Sequence, residues 1–254
     1  MALIKSEEEI AKIRSAGRIL ARVLDELKGL IQPGIALKDL DDVARGFIRK
    51  LGGEPAFLGY KPTGALKPFP AALCTSLNDV VVHGVPTSRR LKTGDVLKLD
   101  LGVKFEGYYA DAAATVAVPE TDPRTAALIA ATESALNRAV ALVRPGKALG
   151  DIGYAIQEEA RKRGFKIVKG LTGHGVGTDL HEEPSVLNEG RPGKGMKLKT
   201  GMVIAIEPMV SAGSPFVKKL SDDSYATVDG SLSAHFEHTV AITDKGAEVL
   251  TMLE

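Results

Sequence analysis

With 254 residues, 44% of them apolar and 26% charged, the chain can bury a large core in one or two domains; its net charge of +1 and pI of about 7.8 exclude the basic footprint of a nucleic-acid binder. One cysteine, Cys74, excludes an intrachain disulfide framework and suits a reducing, cytoplasmic setting. The acids Glu7, Glu8 and Glu9 come before any long apolar run, which argues against a signal peptide, and no stretch approaches the roughly 18 apolar residues that suggest a membrane span.

The first predicted element is a helix opened by a capping box, Ser6 with Glu9 three residues on. Its apolar stripe is Ile10, Ile13, Gly17, Leu20, Leu24 and Leu27, and it should stop near Gln32-Pro33-Gly34. A second amphipathic helix covers about 37–51 and ends at Gly52-Gly53. Strand-like runs then alternate with turns to about residue 118. A third helix spans about 122–143, closed by Arg144-Pro145-Gly146, and a fourth about 149–163. The remainder reads as strands and loops.

This order repeats, and so does some sequence. Residues 30–52 and 142–164 share nine identities at one constant offset, among them Pro33-Gly34 with Pro145-Gly146 and Arg49-Lys50 with Arg161-Lys162. Further on, His83-Gly84-Val85 echoes His174-Gly175-Val176, and Thr115-Val116-Ala117 echoes Thr239-Val240-Ala241. Two helix–helix–sheet halves, about 7–118 and 119–250, are expected to form one domain around a pseudo-two-fold axis. Each half then offers a histidine and two acids at related places, and the axis brings them together.

The most informative acids are Asp100 and Asp111. They lie in two apolar runs flanking Phe105-Glu106-Gly107, the pattern of a β-hairpin. A turn centred near residues 105–106 would set the two carboxylates directly opposite each other, with Cβ atoms about 5 Å apart. Facing acids repel, so a positive group is expected between them; a pair of divalent ions about 3.5–4 Å apart fits the gap. Glu207 sits in the apolar run Met202–Met209 and Glu237 in Ser233–Thr239, and a buried carboxylate without a partner is strongly unfavourable. Asp100, Asp111, His174, Glu207 and Glu237 are therefore the expected ligands. Four carboxylates and one imidazole suit Mn, Fe or Co more than a Cys-rich structural Zn site. Such ions can generate hydroxide and polarise a carbonyl, which is equipment for hydrolysing an amide or ester. The glycines beside His174 would let backbone approach a metal or substrate. His235 reads as a solvated neighbour of Glu237, and His238 as a residue that orients a ligand.

These stretches resemble the type I methionine aminopeptidases of the bacterial short form. The resemblance rests on Asn78–Pro86, the Asp100…Asp111 hairpin, Gly173-His174-Gly175-Val176-Gly177 with His181-Glu182-Glu183-Pro184, Gly201–Pro208, and Ser233–Thr239, and it runs from the Ser6 helix to about residue 250. It implies an α+β fold, the duplicated pita-bread fold of creatinase and aminopeptidase, with a curved antiparallel sheet backed by helices. It implies that two divalent ions (Co, Mn, Fe or Zn) are held with Asp111 and Glu237 bridging. It makes His83 and His181 contacts of the scissile peptide and Glu207 the proton shuttle. The methionine pocket would draw on Tyr60, Phe69, Cys74, Leu180 and Tyr225. Asn78, Val80 and Ser233 match a backbone-lined monovalent-cation site. The substrate would be the N-terminus of a nascent polypeptide with a small second residue, met at or near the ribosome after deformylation, by a cytoplasmic monomer.

The chain departs from the family pattern in places. Lys61–Lys67 lengthens a loop between Tyr60 and Phe69, Leu180 stands where an aromatic is common, Tyr225 stands where Trp is common, and Leu171 and Glu189 miss the usual signature around His174. Two rival readings are an Xaa-Pro peptidase on the same fold, which usually carries a further N-terminal domain, and a binding protein that has lost the ligands. All five ligands stand in this sequence.

Overall fold

The computed structural model describes residues 3–62 and 64–253. Four helices, α1 (Glu7–Gly29), α2 (Leu37–Lys50), α3 (Pro123–Leu142) and α4 (Leu149–Lys162), occur where apolar spacing and stop signals place them. In the α1 capping box Ser6 Oγ accepts from Glu9 N at 3.2 Å and Ser6 N donates to the Glu9 carboxylate at 2.7 Å. Asp122 caps α3, with Pro123 in its first turn. The repeat is carried by α2 and α4, which are both 14 residues long and begin at the equivalent Leu37 and Leu149.

The strands are β1 (Glu54–Pro55), β2 (Leu73–Leu77), β3 (Val80–Val82), β4 (Val96–Phe105), β5 (Tyr108–Ala117), β6 (Lys166–Ile167), β7 (Thr172–Gly175), β8 (Glu182–Leu187), β9 (Val203–Ile206), β10 (Met209–Ser211), β11 (Val217–Lys219), β12 (Tyr225–Thr227), β13 (Ser233–His235), β14 (Glu237–Thr243) and β15 (Gly246–Val249). Nine of them form one curved antiparallel sheet in the order β1-β4-β5-β14-β9-β7-β8, with β2 also on β4 and β15 also on β14. Strands from both repeats thus meet at the β5–β14 junction.

Alternation along the central strands divides the sheet into two faces. Leu97, Leu99 and Leu101 of β4, with Ala110, Ala112 and Ala114 of β5, belong to the main core with Ile13, Leu20, Leu24 and Leu27 of α1. Each such aliphatic side chain contributes roughly 1.5–3 kcal/mol by leaving water, so the helices hold this face firmly. Lys98, Asp100, Asp111 and Thr115 take the other face, and all four are buried. Two small sheets, β13-β10-β6 and β11-β12-β3, complete the β structure among the described residues.

The central hairpin differs in register from the expectation. Phe105 pairs with Tyr108, so the turn is Glu106-Gly107, with φ of 49° and 85°. Two left-handed residues make a two-residue turn that matches strand twist. Asp100 therefore pairs with Ala113, and Asp111 with Gly102. The two acids share a face but sit diagonally, not directly opposite.

Candidate metal centre and active site

One ladder row carries Cys74 of β2, Asp100 of β4, Ala113 of β5 and Glu237 of β14 across the sheet. Asp111 lies one step along on the same face. Its backbone N–H donates to Thr239 Oγ1 at 2.9 Å, and that hydroxyl donates back to Asp111 O at 2.8 Å. Glu207 follows β9 directly, and its carbonyl accepts from the Asn188 amide at 2.9 Å.

His174 comes from β7. A Cβ on Gly173 would fall 2.3 Å from Ala205 O, and one on Gly175 2.2 Å from Glu183 O. These glycines let β7 fit tightly against its neighbours; close approach to a ligand is not what requires them. The imidazole Nδ1 lies 2.9 Å from Gly175 O, an acceptor only, so the proton sits on Nδ1 and Nε2 presents a lone pair to the acids. That nitrogen is 3.5 Å from Glu207, 3.9 Å from Glu237 and 4.0 Å from Asp111.

Donor atoms of Asp100, Asp111 and Glu237 lie within 4.8 Å of one another; so do those of His174, Glu207 and Glu237, and of Asp111, His174 and His181. Asp111, His174 and Glu237 each belong to two of these groups. Asp100 Oδ1, Asp111 Oδ1 and Glu237 Oε1 are buried without a hydrogen-bond partner. Orphaned carboxylate oxygens converging on one point, opposite an imidazole lone pair, fit a divalent cation.

The protonation states agree. Burial, with Glu207 nearby, pushes Asp100 up to about 7, and burial pushes Glu207 to about 7 against the pull of His174. Burial and the neighbouring acids raise Asp111 and Glu237 well above the usual carboxylate range. Without metal the centre therefore holds protons at pH 7, and a cation must displace them. Mn²⁺ added to metal-free protein at pH 7 is expected to release protons, and affinity should rise as pH increases through 7. Isothermal titration in two buffers of different ionisation enthalpy checks this; equal heats in both would contradict it.

His235 is not the solvated neighbour the sequence suggested. It is 1% exposed, and its Nε2 lies 3.4 Å from Glu207 and 4.0 Å from Glu237, with neither ring nitrogen hydrogen-bonded. Burial lowers it to about 4, so it faces the acids as a neutral imidazole. Its seat is set by Thr115, whose hydroxyl bonds both His235 N and His235 O. His238 takes the opposite face from Glu237, as adjacent residues in a strand must, and its Nδ1 meets Thr251 Oγ1 at 2.9 Å. It orients no ligand of the centre.

The centre opens into a cavity of about 1050 Å³. One wall is the cluster of Phe57, Cys74 and Leu180, backed by Tyr60, Phe69 and Tyr109. Phe57 was not anticipated; it follows the short β1 and carries no motif. Tyr225 lines the same cavity but on another wall, packing with Val81, Val82 and Met209, its ring 5.9 Å from that of His83. The lengthened loop closes at its base, where Phe69 N donates to Tyr60 O, and Leu66 N donates to Asp223 at 2.7 Å across the cavity mouth. Thr63 of that loop lies outside the described residues. Leu171 lines the cavity, and Glu189 pairs with Lys169.

His181 borders the acid cluster, its ring 4.3 Å from that of His174, while His83 reaches the cavity from the wall it shares with Tyr225. His83 has a left-handed backbone (φ 61°), a conformation costly for a non-glycine residue and common at functional sites. Burial lowers His83 to about 4; burial with His174 and His83 nearby lowers His181 to about 3. The Tyr60 hydroxyl lies 2.6 Å from His181 Nδ1. Asn78, Val80 and Ser233 do come together, but the carbonyl of Asn78 accepts from Lys98 Nζ at 2.7 Å and from Ser233 N and Oγ, both at 3.2 Å.

Fold and acid-rich centre define a metallopeptidase of family M24, whose sequence profile matches residues 11–244. The chain is 44% identical over 252 residues to methionine aminopeptidase 1 of Bacillus subtilis, covering 99% of each chain. It is 46% identical over 252 residues to the methionine aminopeptidase of Aquifex aeolicus, covering 98% of each. The crystal structure of methionine aminopeptidase from Thermotoga maritima superposes with a TM-score of 0.94 at 42% identity over the whole of both chains. Prolidase from Pyrococcus furiosus, at 24% identity and a TM-score of 0.79 over 99% of this chain and 66% of that one, shares the fold. The chain belongs to the type I methionine aminopeptidases of family M24 and has their pita-bread fold. Membership in this metallopeptidase family implies divalent metal ions. No helix among the described residues is long and apolar enough to cross a membrane.

Proposed function

We propose that the protein removes the N-terminal methionine from nascent polypeptides whose second residue is small. The observation that carries this reading is the juxtaposition of an acid and histidine cluster with an apolar pocket of Phe57, Cys74 and Leu180 on one cavity. Asp100, Asp111 and Glu237 would hold one divalent ion, and His174, Glu207 and Glu237 the other, with Asp111 shared. Divalent cations held there lower the pKa of water and polarise a carbonyl oxygen.

The protein's own groups do the rest. Glu207, at the edge of the cluster beside His174 and His235, would take a proton from the attacking water and pass it to the departing amine. Burial with Asp179 and Asp111 nearby raises the Tyr60 phenol, so its hydroxyl keeps a proton that it can donate to His181 Nδ1, 2.6 Å away. In that tautomer the imidazole proton is on Nε2, ready to donate to the scissile peptide. His83, neutral at pH 7, makes a second peptide contact from the wall shared with Tyr225. A free amine is required, because a formyl group removes the charge that the acids engage, so the enzyme acts after deformylation; its proposed setting is at or near the ribosome, as a cytoplasmic monomer. Ligand type narrows the metals to Co, Mn, Fe or Zn.

The test is methionine release from Met-Ala-Ser beside cleavage of an Xaa-Pro peptide, each with and without chelator. Chelator-sensitive release from Met-Ala-Ser alone is expected; preferential Xaa-Pro cleavage would overturn the reading. His181→Ala is expected to keep its metal content and fold but to lower kcat and kcat/KM together by roughly 100-fold or more, as loss of a proton-donating transition-state contact does. Loss of metal in that variant would place His181 among the ligands, a role its proximity to Asp111 and His174 permits.

A further inference from the structure

The row of side chains next to Asp100 on the same sheet face is polar and buried. Ser76, Lys98 and Thr115 pair directly across β2, β4 and β5 and are 1%, 0% and 6% exposed. Each engages the backbone of a segment packed over that face. Ser76 Oγ accepts from Gly84 N at 3.0 Å, beside His83. Thr115 Oγ1 holds both backbone groups of His235. Between them, Lys98 Nζ donates to Asn78 O at 2.7 Å.

A fully buried lysine needs a reason, since removing an amine from water is costly without a strong partner. Asn78 is in the left-handed region (φ 55°), and its side chain is held at both ends, Nδ2 donating to Asp95 at 2.8 Å and Oδ1 accepting from Val96 N at 2.8 Å. Ser233 closes the cluster: its N–H and hydroxyl reach Asn78 O at 3.2 Å, and the hydroxyl lies 3.4 Å from Val80 O. An oxygen coordinates Na⁺ or K⁺ through lone pairs that face the ion. Here the lone pairs of Asn78 O face N–H and O–H donors, so the residues that the family resemblance assigns to a monovalent cation do not fit one.

We propose that the Lys98 ε-nitrogen stands in for a monovalent cation at the Asn78, Val80 and Ser233 cluster. It ties β4, which carries Asp100, to the segments that carry His83 and His235, and frees the enzyme from any need for Na⁺ or K⁺. Lys98 is a positioning residue and touches no substrate. Burial lowers its pKa to about 7 against the pull of Asp79, but an amine donates to a carbonyl in either protonation state. The inference goes beyond the assignment of substrate, because two of its readouts, melting and cation binding, need no turnover.

The test uses the metal-loaded enzyme in KCl, NaCl or choline chloride at constant ionic strength. Wild-type melting midpoint and kcat should be the same in all three salts, and ²⁰⁵Tl NMR should show no saturable Tl⁺ site. Lys98→Ala opens room beside the carbonyl. In choline chloride its kcat should fall about tenfold with little change in KM, and KCl or NaCl should restore it saturably, with a parallel rise in melting midpoint. Lys98→Met fills the space without a donor and should show the loss without the rescue. A wild-type enzyme activated or stabilised saturably by Na⁺ or K⁺ would overturn the proposal. So would a Lys98→Ala enzyme as active and stable as wild type in choline and indifferent to cations. If Lys98→Ala folds in no salt, the wild-type comparison decides alone. An enzyme that released no methionine in any salt would leave the melting and Tl⁺ readouts intact, so failure of the substrate assignment stays distinguishable.

Discussion

Asp111→Asn and Glu237→Gln are each expected to lower kcat/KM on Met-Ala-Ser at least ~100-fold and to leave one tightly bound divalent ion instead of two. Each acid belongs to two of the three donor groups, so each loss weakens both halves of the centre. The amides keep the shape and can still hydrogen-bond, so folding should survive; what disappears is one negative charge between two cations. Asp111 backbone groups are held by Thr239 independently of the carboxylate, which keeps the position fixed in the variant. Elemental analysis beside steady-state kinetics checks the expectation. Near-normal turnover with two tightly bound metals in either variant would contradict it.

Specificity for the second residue is the other large expected effect. Met-Ala-Ser, Met-Gly-Ser and Met-Ser-Ser peptides should be cleaved, and Met-Leu-Ser at least ~100-fold more slowly in kcat/KM. On one side of the scissile bond, an unbranched thioether suits the wall of Phe57, Cys74 and Leu180 backed by Tyr60 and Phe69, with sulfur–aromatic contacts worth about 0.3–1.5 kcal/mol. On the other side, the His174 and His181 rings stand 4.3 Å apart and edge-on. A bulky second side chain would displace the carbonyl from this tight setting, and about 1 Å of displacement is enough for that loss. Comparable rates for Met-Ala-Ser and Met-Leu-Ser would refute this account.

Features fixed by local chemistry were legible in the sequence. The α1 capping box, the Pro-Gly and Gly-Gly stops and the repeated α2/α4 pair follow from neighbours in the chain; the four acids and one histidine that cluster were legible chiefly through the internal repeat and the family resemblance. Features fixed by register or by contacts distant in sequence were not. The hairpin turn shifted because two left-handed residues, Glu106 and Gly107, make a two-residue turn, and that shift made Asp100 and Asp111 diagonal. His235 faces the acids and His238 does not because strand alternation, with Thr115 holding the His235 backbone, sets which imidazole lies on the acid face. Tyr225 went to the His83 wall because β12 pairs with β3, a partnership no local pattern announces.

The measurement closest to the central claim, that the clustered acids and His174 hold the divalent ions with which the protein removes methionine, is titration of metal-free enzyme with Mn²⁺ while following methionine release from Met-Ala-Ser. No release without metal is expected, then a rise that saturates by about two equivalents per chain in wild type and is lost in Asp111→Asn. Full methionine release by the metal-free protein would contradict the account.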